Sequence, residues 1–540
     1  LLWLISLLSP QQVSAEVYTA LVDMEELLET ESFLIENLDN YIRIEEEKLD
    51  YLKRKNFEYQ REHSEAIHDI SGYLGNPINA YILTKRLTVD WTDIEQVMEF
   101  DVGKPFLENI TRAHSVLKFP TDEDLNGAAV ALMRLQDTYN LETASVARGE
   151  LNGIQYSSEM TSSDCFELGR QSYLNGDHYH TILWMHEAMD RLTNEVNRTT
   201  TKADVLEYLA FSTFKQGNVL SALSMTNELL EIIPNHERAV GNKVFYEKQL
   251  AEEKRQQNLL GDDGSDNVPK DDVNIIRDTS NPHVYDLPER KLYEMLCRGE
   301  LKPSSFYLSQ LHCKYVTRDN PFLKIAPLKL EEASLQPYIV IYHDVLADSE
   351  IEVIQRLAKP RFRRATVQNH KTGELEVAHY RISKSAWLKD YDHKVIRTVG
   401  KRVEDMTGLT VETAEELQVV NYGIGGHYEP HFDFARREEK NAFKSLGTGN
   451  RIATVLFYMS DVEQGGATVF PSIRTALWPK KGTAAFWFNL HKSGEGDYLT
   501  RHAACPVLTG NKWVSNKWIH ERGQEFSRPC DLQPDHPDSY

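Results

Sequence analysis

The hydrophobic pattern changes period once along this chain, and the change fixes the class of structure on either side. Up to about residue 250 apolar side chains recur every three to four positions, the spacing of helices. From about Gln336 short β-prone runs take over: PYIVIYHDVL, LQVVNYGIGGHY, RIATVLFYMSDV, GTAAFWFNL and NKWVSNKWIHE. Glycine turns such as Gly425-Gly426 and Gly465-Gly466 separate them. Between the halves AEEKRQQNLLGDDGSDNVPKDDVN is polar, acidic and broken by Gly and Pro, which predicts a linker over residues 251–280. At 540 residues the chain exceeds one core. A multidomain protein is expected, with an all-α N-terminal half followed by a mainly β sandwich or barrel of jelly-roll type.

The first residues, LLWLISLLSPQQVSA, resemble part of a secretory leader over residues 1–15, with a small-residue cleavage site at Val13-Ser14-Ala15. Beyond it Leu21, Met24, Leu28, Ile35, Leu38, Ile42, Leu49 and Leu52 follow a heptad seam interrupted by Glu31 and Glu45. This predicts a coiled coil or long helical hairpin serving self-association, in a helical domain over 16–155. Thr121-Asp122-Glu123-Asp124 after Pro120 marks a helix start for a run ending near Tyr139. No further apolar run approaches the ~20 residues that span a bilayer, and the net charge of −22 disfavours nucleic acid and anionic membranes as partners. The sequons at Asn109 and Asn197 agree with a route through the endoplasmic reticulum, although the C-terminal HPDSY carries no KDEL-type signal. Among five cysteines, Cys297 with Cys313 and Cys505 with Cys530 are neighbours in sequence, which suggests two local bridges and leaves Cys165 over. Four cysteines allow three pairings, so connectivity stays open.

Residues 160–250 carry a repeat. Leu206, Leu209, Ala210 and Ala222, counted back from Pro234, fit a tetratricopeptide helix pair with Gly217 in its turn. An earlier unit places Cys165, Leu168, Gly169 and Ala188 equivalently, turning at Gly176. The module is rich in aromatics: Tyr173, Tyr179, Tyr208, Phe211, Phe214, Phe245 and Tyr246. Aromatic grooves suit polyproline II peptides, whose stiffness lowers the entropy cost of binding. Tyr208 and Phe211, three apart on one helix, share a face and are the better groove candidates.

The chemistry is concentrated in His431-Phe432-Asp433, His502 and Lys512. In a strand, side chains at i and i+2 share a side, so His431 and Asp433 can grip one ion from adjacent positions. His502 from another strand completes a two-histidine, one-carboxylate face with open positions opposite, the pattern of non-haem Fe(II) oxygenases. Zinc hydrolysis uses similar ligands but leaves Lys512 unexplained. A fixed cation there suits the far end of a dicarboxylate.

NYGIGGHYEPHFDF, RIATVLFYMSDVEQGGATVFP, GEGDYLTRHAACPV and GNKWVSNKWIHERGQEF resemble the catalytic domain of collagen prolyl 4-hydroxylase α subunits, 2-oxoglutarate dioxygenases, and the resemblance runs back through the repeat module. It implies a double-stranded β-helix over 336–530, after a connecting segment at 281–335 and before a tail at 531–540. It implies Fe(II) on His431, Asp433 and His502, 2-oxoglutarate and O2 as co-substrates, and L-ascorbate to rescue oxidised iron. Lys512 is then expected to hold the C-5 carboxylate, with His520 and Tyr422 beside the co-substrate; Arg381, Tyr428 and Trp518 are pocket candidates. The implied activity is of the procollagen-proline 4-dioxygenase class, acting on X-Pro-Gly in collagen-like chains in the reticulum lumen, with protein disulfide isomerase as β subunit of an α2β2 tetramer. Non-collagen proline-rich proteins are the alternative substrates. A peptide receptor with a dead catalytic domain is the alternative class.

Overall fold

The computed structural model describes residues 16–195, 199–259, 288–318, 320–368, 375–377, 380–439, 442–444 and 446–532. The expected leader, the Asn197 sequon, most of the linker and the chain from 533 lie outside these residues. Contacts divide the chain into two units, one holding Asp23–Thr121 and the other Glu16–Val22 with the chain from Asp122. Among the described residues no helix is long and apolar enough to cross a membrane.

The first unit is a helical hairpin built on α1 (Leu21–His68). Its returning arm is tied back by polar contacts: Asn109 Nδ2 donates to Asn37 Oδ1 at 3.0 Å, and Lys118 bridges Asp23 and Glu26. The seam residues Leu28, Ile35, Leu38, Ile42 and Leu49 stay 44–66% exposed, so within one chain this apolar face is uncovered.

In the second unit α2 (Asp122–Tyr139) starts and stops where the sequence predicts. Residues 122–155, grouped by sequence with the N-terminal helices, pack with this unit instead. After the short helix Thr143–Ala147 the repeat module is built from α3 (Ser162–Leu174), α4 (His178–Leu192), α5 (Lys202–Lys215), α6 (Val219–Ile232) and α7 (Glu237–Leu259). Thr161 and Thr201 form capping boxes with Asp164 and Asp204, so each helix pair opens on the same device. Gly176 and Gly217 take the left-handed conformation their turns require. At Gly169 a Cβ would come within 2.8 Å of Met185 Cε, which is why a small residue stands where α3 meets α4. The linker starts later than expected: residues 251–259 continue α7, because Ala, Glu, Lys, Arg and Gln are strong helix formers whatever their charge.

The β half is a two-layer sandwich. Five strands position the site: β1 (Leu417–Asn421), β2 (Tyr428–His431), β3 (Arg451–Tyr458), β4 (His502–Ala504) and β5 (Trp513–His520). The large sheet runs in the order Cys313–Val316, Leu328–Leu335, Tyr338–His343, Ala484–Phe488, β3, β5, β1, Lys384–Leu388, Arg363–Arg364. It therefore begins inside the segment expected to be a mere connector. The small sheet is β2, β4, Thr468–Phe470, Thr475–Leu477. Alternation sorts the side chains: Val419, Val455 and Ile519 meet the helices Asp348–Ala358 and Lys394–Thr407 on the outer face. Val420, Leu456 and Val514 meet Phe470 and Ala504 of the small sheet.

Cysteine pairing differs from expectation. Cys297, ending the helix Pro288–Cys297, bonds Cys505 with Cα atoms 5.5 Å apart, while Cys313 and Cys530 are exposed free thiols. The local bridges Cys297–Cys313 and Cys505–Cys530 are thus replaced by a long-range one. The helix carries Cys297 into a core with Tyr139, Tyr293, Val469 and Ala503, whereas Cys313 opens an edge strand.

Candidate active site

β2 and β4 are antiparallel neighbours, and His431 stands opposite His502 in register. Asp433 lies just past the end of β2, in a bend, so the i,i+2 strand geometry expected for the pair is replaced by a turn. Thr454 on β3 holds the carboxylate there, its hydroxyl donating to Asp433 Oδ2 at 2.7 Å and itself receiving Asn489 Nδ2 at 2.9 Å. The three side chains converge: Asp433 lies 3.8 Å from His431 Nε2 and 3.7 Å from His502 Nε2, and a ligand atom from each fits within 4.8 Å.

This donor set suits a divalent transition metal. Two ligand atoms each about 2.0–2.2 Å from one ion can stand up to about 4.4 Å apart, and the Asp433 carboxylate lies within that distance of both imidazoles. Each imidazole engages a backbone carbonyl through Nδ1, His431 that of Glu429 at 2.7 Å and His502 that of Thr500 at 2.9 Å. Both Nδ1 atoms therefore carry the proton and both Nε2 lone pairs face the site. Burial and the neighbouring His502 hold His431 neutral, well below the usual histidine range. Burial pushes Asp433 up, but the two histidines and Arg451 outweigh it and bring its carboxyl down to about 2. Neutral imidazoles and an ionised carboxylate are the ligand forms a metal needs.

A pocket opens beside the triad, lined by Arg381, Tyr422, Tyr428, Leu456, Thr468, Trp487, Lys512, Val514, Asn516 and Trp518 among others. Lys512 is 1% exposed, and burial alone pulls its ammonium down to about 7. Its Nζ lies 4.8 Å from the Tyr422 ring centroid, and among the described residues no carboxylate pairs with it. A buried, uncompensated ammonium is costly unless an anionic ligand completes it. The same pocket thus carries metal ligands and an anion receptor in its lining.

The remaining expected residues separate. Tyr428 stacks on His431 with centroids 3.5 Å apart, and burial pushes its phenol up to about 12, so it stays neutral. Arg381 lies over the Tyr428 ring and donates to Gln418 Oε1 at 3.2 Å. Trp518 lies under the Arg451 guanidinium at 3.8 Å. His520 shares the inward face of β5 with Val514, Asn516 and Trp518 but sits beyond the cavity lining, its Nε2 3.0 Å from Glu415 and its Nδ1 2.8 Å from the Gly449 carbonyl. Sequence reasoning missed Thr454, Asn489 and Trp487. The alternation of β3 places Thr454 on the inward side with Leu456, which is the signal that could have found it.

In the helical module Tyr173 touches Tyr208 and Phe211 edge-on, at 5.0 and 5.7 Å, and Phe214 continues the row to Phe245 and Tyr246. Tyr208 and Phe211 do share a face. Tyr246 is 1% exposed and packs with Val219 and Ala222, making it core where a groove residue was expected. Tyr179 turns its ring to His180.

Comparison with known proteins agrees with this geometry. Residues 20–153 match the N-terminal region of the prolyl 4-hydroxylase alpha-subunit, 162–252 the prolyl 4-hydroxylase peptide-substrate-binding domain, and 417–520 the 2OG-Fe(II) oxygenase superfamily. The chain is 49% identical over 534 residues to prolyl 4-hydroxylase subunit alpha-1 of Homo sapiens, covering 98% of each chain. It is 50% identical over 524 residues to subunit alpha-2 of Caenorhabditis elegans, covering 96% of this chain and 94% of that one. A buried triad beside a buried lysine, in a chain similar to these along nearly its whole length, places it in the prolyl 4-hydroxylase alpha-subunit family, proline dioxygenases that use Fe(II) and 2-oxoglutarate.

Proposed function

We propose that this chain hydroxylates proline at C-4 in X-Pro-Gly sequences of collagen-like polypeptides, coupled to decarboxylation of 2-oxoglutarate to succinate. The observation that carries the reading is one pocket lined both by the triad and by Lys512, an ammonium with no carboxylate partner among the described residues. The relatives are named prolyl 4-hydroxylase subunits, and the matched helical module is named for peptide substrate binding.

His431, Asp433 and His502 hold Fe(II), whose role when bound is to activate O2 at the expense of 2-oxoglutarate. Lys512 pairs with the C-5 carboxylate, and Tyr422 lies against the ammonium to fix its direction. Leu456, Trp487 and Val514 keep the cavity dry, which strengthens that ion pair. No protein acid or base is required, so Tyr428 serves by remaining neutral and bracing His431. Tyr173, Tyr208, Phe211 and Phe214 offer ring edges to a proline-rich strand, and that separate hold raises the local concentration of substrate near the cavity.

The wider assignment follows the family. The chain works in the reticulum lumen with protein disulfide isomerase as β subunit, ascorbate restores oxidised iron, and the exposed seam of α1 joins two α chains. Co-expression with the isomerase, then assay with Fe(II), 2-oxoglutarate, ascorbate and (Pro-Pro-Gly) peptides, tests the reading. Hydroxyproline formed in step with succinate, and lost in His431→Ala, is expected. Peptide binding by a folded, iron-loaded sample without turnover would refute it.

A further inference from the structure

The segment Glu16–Val22 belongs to the catalytic unit although Asp23–Thr121 separate it from the rest of that unit in sequence. It is held on two sides. Toward α2, the Val17 amide donates to Asp124 Oδ1 at 2.6 Å, and the Tyr18 ring lies where a Cβ on Gly127 would have to go. Toward the β half, Glu16 pairs with Arg364 at 2.6 Å, the Ile424 amide donates to the Tyr18 carbonyl at 3.1 Å, and the Val22 amide donates to Asn421 Oδ1 at 3.3 Å. Val17, Thr19, Ala20 and Val22 are buried.

Asn421 is the node. It is wholly buried at the end of β1, and its Nδ2 donates to Asn511 Oδ1 at 2.8 Å and to the Lys512 carbonyl at 3.3 Å. A backbone amide can only donate and a backbone carbonyl can only accept. The Val22 amide therefore fixes the side-chain oxygen toward the segment, and so the side-chain nitrogen toward Lys512. Without the Val22 amide the side-chain oxygen loses its donor on the segment side, and only the weak 3.3 Å bond to the Lys512 carbonyl still selects that orientation.

We infer that Glu16–Val22 is a structural part of the co-substrate site, with Asn421 the positioning residue through which it holds the backbone of Lys512. The inference rests on Lys512 being the anchor of 2-oxoglutarate. Gly423 supplies a selective probe. Its three nearest atoms in the direction of a Cβ are the Tyr18 carbonyl oxygen, the Thr19 carbonyl carbon and, at 2.6 Å, the Ala20 amide nitrogen, and it is not among the left-handed glycines. Gly423→Ala thus collides first with the backbone of the segment.

The test is 2-oxoglutarate affinity of the full chain, read by equilibrium dialysis in the presence of Mn(II) without oxygen or peptide, alongside KM and kcat. Gly423→Ala is expected to weaken 2-oxoglutarate about tenfold or more, with kcat at saturation and proline-rich peptide affinity within about twofold of the parent. Asn421→Ala is expected to do the same. In a chain lacking residues 16–19 behind its own leader, the weakening is already present and Gly423→Ala adds nothing. Unchanged 2-oxoglutarate affinity in both point variants, or an equal further loss in the shortened chain, overturns the inference. So does a parallel fall in peptide affinity and kcat. Lys512→Ala is run beside them: if it also leaves 2-oxoglutarate affinity unchanged, the reading of Lys512 is what has failed.

Discussion

Aromatic rings gather in two parts of this molecule and do opposite things there. Around the cavity Tyr422, Trp487 and Trp518 are no more than 7% exposed and enclose ionisable groups. In the helical module Tyr173, Tyr208, Phe211 and Phe214 are half-buried and meet one another edge to face along a row. Enclosure lowers the local dielectric, so one ammonium or one carboxylate there shifts a binding constant by orders of magnitude. An open row offers many small contacts, none decisive, and tolerates sliding of a repetitive ligand. The comparison teaches where the chain discriminates chemically and where it merely retains a strand.

The largest break in the comparison is expected at the triad. His431→Ala removes a metal ligand and with it several kcal/mol of metal-supplied stabilisation, so turnover should fall about a thousandfold or more. Peptide affinity, measured separately by titration calorimetry, should stay put. A variant that lost both equally would mean the two regions are one site.

Lys512→Ala comes next. Truncating one partner of a buried charge pair costs about 2–5 kcal/mol, so KM for 2-oxoglutarate should rise roughly a hundredfold while Fe(II) binding persists. The same lysine has a pH signature. Free of its ligand it titrates near 7, and a bound carboxylate raises that value, so binding takes up a proton above pH 7. Affinity for 2-oxoglutarate should therefore hold below pH 7 and fall up to about tenfold per unit above it. A flat profile from pH 6.5 to 8.5 would show that an uncharged lysine suffices.

How much of this was legible in advance follows from what each feature depends on. The helix pairs were legible because Gly176, Gly217 and the small residues at Gly169 and Ala188 mark turns and close approaches locally. The triad was legible from residue types, yet its geometry was not: Asp433 is placed by Thr454, a partner 21 residues away whose role only strand pairing reveals. Disulfide pairing failed for the same reason. Cys297 and Cys313 are close in sequence, but one ends a core-facing helix and the other lies on an edge strand. Tyr246 resembled its neighbours in composition, and only packing under α6 separates it from them.

That separation gives the third prediction. Tyr208→Ala should weaken long proline-rich peptides about five- to thirtyfold, the usual range for one aromatic contact, and short ones less. Tyr246→Ala should instead lower the thermal midpoint, since emptying a buried aromatic site costs about 3–5 kcal/mol. Equal effects of Tyr208→Ala on long and short peptides would assign that ring to the core as well.

The smallest expected effect on chemistry lies in the first unit, which holds neither aromatic region. The seam of α1 exposes Ile35 and Leu38, each 55% accessible, on one face of the helix. Replacing both with glutamine removes apolar area that only a second chain would cover, so sedimentation should show loss of α–α association. Because the cavity and the helical module are built from residues of the other unit, turnover per chain should stay within about twofold. The two readouts must come apart. If turnover falls with association, the cavity depends on the neighbouring chain, and enclosure would be a property of the assembly rather than of one chain's sandwich.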